Sequence, residues 1–227
     1  MDKRRIIIAI DGPAGSGKST LASLLARRYK LTNIETGAMY RALALKALQT
    51  GSSLDDGAAL ARLAANSSIE LEARPEGNRV LLDGADATER VREDDVTDAA
   101  SRVSVHPAVR EWMVERQRQM GNAGGVVMEG RDIGTKVFPK ADVKIFLDAA
   151  PEVRGARRFL QQPAAQTKEK SVLAELHERD LRDRTRSTSP LVPAPDAVVI
   201  DSTNLTLDQV LQKVIEIIEE KLSRIGV

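Results

Sequence analysis

The segment Gly12-Pro13-Ala14-Gly15-Ser16-Gly17-Lys18-Ser19 spaces its glycines, lysine and serine as a phosphate-binding loop requires. Successive backbone N–H groups can point into one concavity only where glycines remove the Cβ clash. In that pattern Lys18 reaches the β- and γ-phosphates, and the Ser19 hydroxyl is a ligand for Mg²⁺. A helix starting near Lys18 turns its positive dipole end toward the anion. The motif alone gives a nucleoside triphosphate site and leaves open a kinase, a GTPase or a motor.

Three further segments could hold a second substrate. They are Glu35-Thr36-Gly37-Ala38-Met39-Tyr40-Arg41, Glu129-Gly130-Arg131-Asp132-Ile133-Gly134-Thr135, and Glu178 to Arg186. In the third, Arg179, Asp183 and Arg186 fall at i, i+4 and i+7, on one helix face. Such a row can hold a phosphorylated sugar, with arginines on anionic oxygens and the carboxylate on hydroxyls. Taken alone, it could equally be a solvated face laced with ion pairs.

Strands and helices must position these groups. Arg4 to Ile10 reads as a buried strand ended by Asp11-Gly12-Pro13, and Gly17 to Tyr29 as a helix with Leu21, Leu24, Leu25 and Tyr29 on one face. Leu31 to Glu35 and Thr36 to Gln49 repeat the strand–helix pattern, as an α/β fold requires. Ile69 to Ala73 and Arg79 to Asp83, around Pro75-Glu76-Gly77-Asn78, read as an antiparallel hairpin. Val91 to Arg118 reads as helical with a break at His106-Pro107. The α/β pattern resumes with strands at Gly125 to Met128, Val143 to Leu147 and Ala197 to Ile200, and helices at Pro151 to Leu160 and Ser171 to Arg186. A last helix, Thr206 to Arg224, has a capping box at Thr206 and Gln209 and an apolar stripe through Leu207, Val210, Leu211, Val214, Ile217 and Ile218. Gln161 to Lys170 is polar and irregular, a candidate mobile loop.

Bulk properties narrow the classes. The chain has 227 residues and a formal net charge of +1, which gives no general attraction to nucleic acid. It has no cysteine, which excludes disulfides, thiolate zinc sites and cysteine nucleophiles. Ile6 to Ile10 is too short for a signal-peptide core or a membrane span. A cytoplasmic monomer with small-molecule substrates, bound to neither nucleic acid nor membrane, is the expectation.

In order and spacing these segments resemble those of the bacterial cytidylate kinases, over essentially the whole chain. The resemblance is most specific at Thr36-Gly37-Ala38-Met39-Tyr40-Arg41 and Gly130-Arg131-Asp132-Ile133-Gly134-Thr135. Glu35 stands where that family often has aspartate. The resemblance implies a single P-loop kinase domain over 1–227, with a five-stranded parallel sheet and helices on both faces. It also implies a monophosphate-binding arm at about 36–110 (antiparallel insert about 65–105) and a lid at about 152–170.

It implies ATP, with Mg²⁺, bound by Gly12, Pro13, Ala14, Gly15, Ser16, Gly17, Lys18, Ser19 and Thr20, and transfer to CMP or dCMP. Thr36, Tyr40, Arg41, Ser101, Arg110, Arg131, Asp132, Arg179, Asp183 and Arg186 are the implied acceptor residues. Arg41 and Arg131 would grip the phosphate, Ser101, Arg110 and Asp132 would read cytosine, and Asp183 would meet the ribose. Lys18, Arg131, Arg158 and Arg186 are the implied catalytic cations. Arg154, Arg157 and Arg158 are candidate lid arginines, and since Arg157 and Arg158 cannot both share a helix face with Arg154, one of those two is expected to be surface decoration. Asp148 is either a turn residue or a carboxylate that holds Mg²⁺ through water. Trp112 is expected in the core, and His106 and His177 receive no role. The competing readings are a P-loop kinase of another acceptor such as UMP, a nucleotide-binding switch, and a silent binding module. No Asn-Lys-x-Asp guanine-reading segment is present.

Overall fold

The computed structural model describes residues 6–74, 77–161 and 169–225. Strand β1 (Ile7–Asp11) leads to helix α1 (Lys18–Tyr29), and β2 (Thr32–Glu35) leads to α2 (Thr36–Thr50) and α3 (Gly57–Ala65). Next come β3 (Ile69–Arg74), β4 (Gly77–Leu82), β5 (Ala85–Asp86), a 3₁₀ turn at Arg90–Arg92, α4 (Asp94–Val103) and α5 (Pro107–Gly121). β6 (Val126–Gly130) runs into a π-helical turn at Ile133–Val137, followed by β7 (Val143–Asp148). The chain closes with α6 (Pro151–Gln161), α7 (Glu169–Thr185), β8 (Val198–Asp201) and α8 (Leu207–Ile225).

The main sheet is parallel and five-stranded, in the order β2-β6-β1-β7-β8. Every residue of β6 is buried, as expected of a sheet covered on both faces. One face packs Ile8, Ile10 and Ile145 against Leu21 and Leu25 of α1 and Val210, Val214 and Ile218 of α8. The other gathers Ala9, Ile34, Met128, Ile133 and Val137. In register, Asp11 faces Gly130 and Glu35 faces Glu129, so the carboxyl ends of β1, β2 and β6 lie level. That edge is where open α/β sheets collect ligands.

Strands β3, β4 and β5 form a separate antiparallel sheet. It shares a core with the helices around it: Met39 and Leu43 of α2, Leu60 of α3, Val96 of α4, and Val109 and Met113 of α5. Truncating one such side chain to alanine costs roughly 2–5 kcal/mol, so this core alone can fix α2, α4 and α5 relative to one another. Trp112 packs against it, as expected. Asn78, buried in β4, accepts from the Glu35 N–H at 2.7 Å and donates to the Asn33 carbonyl at 2.8 Å, stitching the hairpin to β2.

Several boundaries differ from those read in the sequence. Gly77 and Asn78, expected in the hairpin turn, belong to β4 opposite Arg74 and Ala73, while Pro75 and Glu76 lie outside the described residues. Val91 sits in the 3₁₀ turn, and α4 begins three residues later, at Asp94. The break at His106-Pro107 is found, with proline in the first turn of α5 where its missing N–H costs nothing. Of the stretch Gln161 to Lys170, Gln161 ends α6 and Glu169 and Lys170 begin α7, while residues 162–168 lie outside the described residues. The capping box forms in both directions, Thr206 N–H to Gln209 Oε1 at 2.9 Å and Gln209 N–H to Thr206 Oγ1 at 3.3 Å. Among the described residues no helix is long and apolar enough to cross a membrane.

Candidate active site

The residues between β1 and α1 form one end of a cavity of about 470 Å³. Gly12 has φ +151°, and a Cβ there would collide with the Leu147 carbonyl oxygen, so only glycine lets the loop pass β7 this closely. Residues 14–20 line the cavity, whereas Gly12 and Pro13 lie behind its wall. The Pro13 carbonyl accepts from Ser16 Oγ at 3.1 Å and from Lys18 Nζ at 2.6 Å. Burial first, and then the charge of Arg131, push the Lys18 ammonium down to about 7. An anion seated beside it would reverse that shift.

Further lining comes from four elements. Thr36, Tyr40 and Arg41 come from α2, Ser101 from α4, Arg110 from α5, and Arg131 and Asp132 from the turn after β6. Arg110 Nη2 donates to Asp132 Oδ2 at 2.6 Å, and its guanidinium lies 5.4 Å from the centre of the Tyr40 ring. Both partners are almost wholly buried, at 2% and 5% side-chain exposure, so the pair is oriented within the protein and not by solvent. Ser101 Oγ is buried in the same cavity wall, with no hydrogen-bond partner among the described residues.

Arg179 and Asp183 face the cavity from α7, and Arg186 does so one residue beyond its end. The row is therefore an inward one, not a solvated face. Asp183 takes Arg131 Nε at 2.8 Å and Arg186 Nη1 at 3.2 Å. Burial pushes the Asp183 carboxyl up, but Arg131, Arg179 and Arg186 together hold it below its usual value. Burial and Arg131 push Arg179 down to about 9, which leaves it cationic at neutral pH. Arg131, Arg179 and Arg186 share the one carboxylate of Asp183, and that excess of positive charge is organised to receive an anion.

Two carboxylates of the cavity escape a reading by motif alone. Glu129 accepts from Ser19 Oγ at 2.5 Å, and burial, then the neighbouring Glu35, push it up. Glu35 is raised by burial and pulled lower still by Arg41, whose Nη2 lies 2.5 Å from Glu35 Oε1. Glu35 ends β2 and Glu129 is the penultimate residue of β6, each just before a glycine- and arginine-bearing segment, which is the signal that could have found them. Leu147, Ser202, Leu205, Leu207 and Val210 complete the wall beside the phosphate loop. Leu207, expected in the core stripe of α8, is 45% exposed and stands at this wall instead, because it begins the helix where the cavity opens.

The lid arginines divide otherwise than expected. Arg154 is buried and fixed: Nε donates to the Ala149 carbonyl at 2.8 Å, Nη1 to the Ala14 carbonyl at 3.1 Å, and Nη2 pairs with Asp180 at 2.6 Å. It bolts α6 and α7 to the phosphate loop and is not free to swing. Arg157 and Arg158 both line the cavity, so neither is surface decoration, and Arg157 is tethered to Ser202 by Nη1 to Oγ at 3.0 Å. Asp148 accepts from the Ala149 N–H and pairs with Arg184, and it does not reach the cavity. The turn reading fits it, and the reading as a carboxylate near Mg²⁺ does not.

The model of the cytidylate kinase family matches residues 8–220. The chain belongs to the cytidylate kinase family. It is 49% identical over 222 residues to the cytidylate kinase of Geobacillus thermodenitrificans, covering 97% of this chain and 99% of that protein. To the cytidylate kinase of Pelotomaculum thermopropionicum it is 51% identical over 212 residues, 92% of this chain and 93% of the relative. A crystal structure of shikimate kinase from Bacteroides thetaiotaomicron superposes with a TM-score of 0.50 at 14% identity, over 94% of this chain and 98% of that one, a likeness of fold alone. As a cytidylate kinase family member the chain is a phosphotransferase.

Proposed function

We propose that this chain transfers the γ-phosphoryl group of ATP to a phosphate oxygen of CMP, giving CDP and ADP, and does the same with dCMP in the cytoplasm. One observation carries the reading: a single cavity is lined by both Lys18 and the Arg110–Asp132 pair, with Arg41, Arg131 and Arg179 among its other cations. The donor phosphates would lie in the glycine loop against Lys18, with residues 14–20 as their cradle. Ser19 would hold Mg²⁺, and its hydroxyl and the adjacent Glu129 carboxylate are the hard oxygen donors such an ion prefers. Among the described residues no group of three or more metal-binding side chains exists, so phosphates and water would complete the shell. The ion would supply neutralising charge on the donor phosphates.

In the transfer a bond forms from the acceptor oxygen to the γ-phosphorus, and the bond to the β,γ-bridging oxygen breaks. The acceptor oxygen is already anionic at neutral pH, so alignment and charge neutralisation suffice without a strong base. Arg41, Arg131, Arg179 and Arg186 would hold the acceptor phosphate, with Arg158 closing over the transferred group. Asp183 would meet the ribose. Asp132, held by Arg110, would accept from the cytosine amino group and repel the carbonyl at that position of uracil, while Ser101 supplies a free hydroxyl to the base edge. On this reading, residues from Thr36 to Arg110 act as the monophosphate-binding arm within a single kinase domain.

A coupled ADP-release assay with MgATP and CMP, dCMP, UMP or AMP tests the proposal. Rapid turnover with CMP and dCMP and rates at least about a hundredfold lower with UMP and AMP are expected. Equal turnover of UMP would overturn the role given to Asp132.

A further inference from the structure

The turn that carries Asp132 lacks the cap its sequence offers. Aspartate is among the preferred residues at a helix N-cap, where its carboxylate satisfies the first free N–H groups. Asp132 holds that position before the turn Ile133–Val137 yet makes no such bond. Its carboxylate points instead to Arg110. The open amides are met from another strand: Asp11 Oδ1 accepts from Ile133 N–H at 2.8 Å, and Asp11 Oδ2 from Gly134 N–H at 2.7 Å.

Asp11 ends β1, immediately before Gly12, and is 4% exposed. A Cβ on Gly134 would stand 3.2 Å from Lys144 Cδ and 3.3 Å from Asp11 Oδ2, so a side chain there would crowd the contact. We infer that Asp11 is a positioning residue for acceptor recognition: by capping the turn in place of Asp132 it releases the Asp132 carboxylate to Arg110 and the acceptor base. The Asp11 carboxylate thus fixes the turn that presents the residue reading the acceptor.

The inference rests on the proposed CMP reading, and a single experiment separates the two. Asp11→Asn keeps the size but turns an amide N–H₂ toward one of the two backbone donors. KM for CMP, KM for MgATP and the CMP-to-UMP ratio of kcat/KM are measured for wild type, Asp11→Asn and Gly134→Ala, with folding checked by thermal melting. A wild type that ignores CMP defeats the CMP reading itself. With a CMP-selective wild type, Asp11→Asn is expected to raise KM for CMP about tenfold or more and to shrink the CMP-to-UMP ratio by a similar factor. KM for MgATP should stay within about threefold of wild type. Parallel loss toward both substrates with an unchanged ratio would mean a merely structural role and would overturn the inference. If Asp11→Asn does not fold, Gly134→Ala decides alone, since it disturbs the same contact with Asp11 in place: a reduced ratio supports the inference and a wild-type ratio overturns it.

Discussion

Arg110 of α5 and Asp132 after β6 form a buried ion pair, Nη2 to Oδ2 at 2.6 Å, that joins the arm to the main sheet at the acceptor end of the cavity. Removing one partner of such a pair strands the other charge away from water, at a cost of about 3–5 kcal/mol. Asp132→Ala is therefore expected to lower the melting temperature and to reduce kcat/KM for CMP by about a hundredfold. ATP binding should survive, because the phosphate loop is made by other residues. Replacing both partners by apolar residues of similar volume should restore stability without restoring CMP transfer. Calorimetry alongside the acceptor assay checks both halves.

Lys18 gives a prediction in protons. Its folded value of about 7, against 10.5 for an ordinary lysine, follows from burial and then from Arg131. Between those values the unfolded chain binds more protons. The destabilisation caused by burying this ammonium is therefore complete below pH 7 and is relieved as pH rises toward 10.5. Donor phosphates favour the charged form, so MgATP binding at pH 8 should take up a proton, approaching about one per donor. Titration calorimetry in two buffers of different ionisation heat reads this uptake. It should vanish in Lys18→Met, and identical heats in both buffers for the wild type would contradict the assignment.

Arg154 separates a bolt from a moving lid. A mobile catalytic arginine, once removed, lowers kcat and leaves the melting temperature alone. Arg154 instead satisfies two carbonyls and Asp180 from a position 3% exposed. Arg154→Ala should thus cost about 3–5 kcal/mol of stability. Arg154→Lys should recover only part of it, since an ammonium cannot reproduce the planar fork. Arg158→Ala should do the reverse, with a lower kcat and little change in melting temperature.

Most of what depends on neighbours close in the chain is legible in the sequence. The glycine loop, the strand–helix alternation and the cap at Thr206 and Gln209 are local, and each stands within a few residues of its expected place. The inward face of Arg179, Asp183 and Arg186 was legible as a row, though its direction was not. Helix α3 went unread although its signal is local: Asp56 accepts from Ala59 N–H as a standard N-cap. The π-helical turn was not readable, because its cap, Asp11, lies 122 residues away from Ile133. Arg154 looked like its neighbours Arg157 and Arg158 because charge in a sequence does not disclose burial. Leu207 looked like core because an apolar residue on an amphipathic helix can face a cavity as well as a neighbour.

On the proposed reading, one cavity seats a donor at Lys18 and an acceptor at Arg110 and Asp132, close enough for direct transfer. An analogue in which adenosine and cytidine are joined through five phosphates occupies both ends at once, and its binding by titration calorimetry is the most direct test. One analogue per chain is expected, bound at least about a hundredfold more tightly than ATP or CMP alone. Binding no tighter than ATP, or ATP and the analogue bound together, would contradict it.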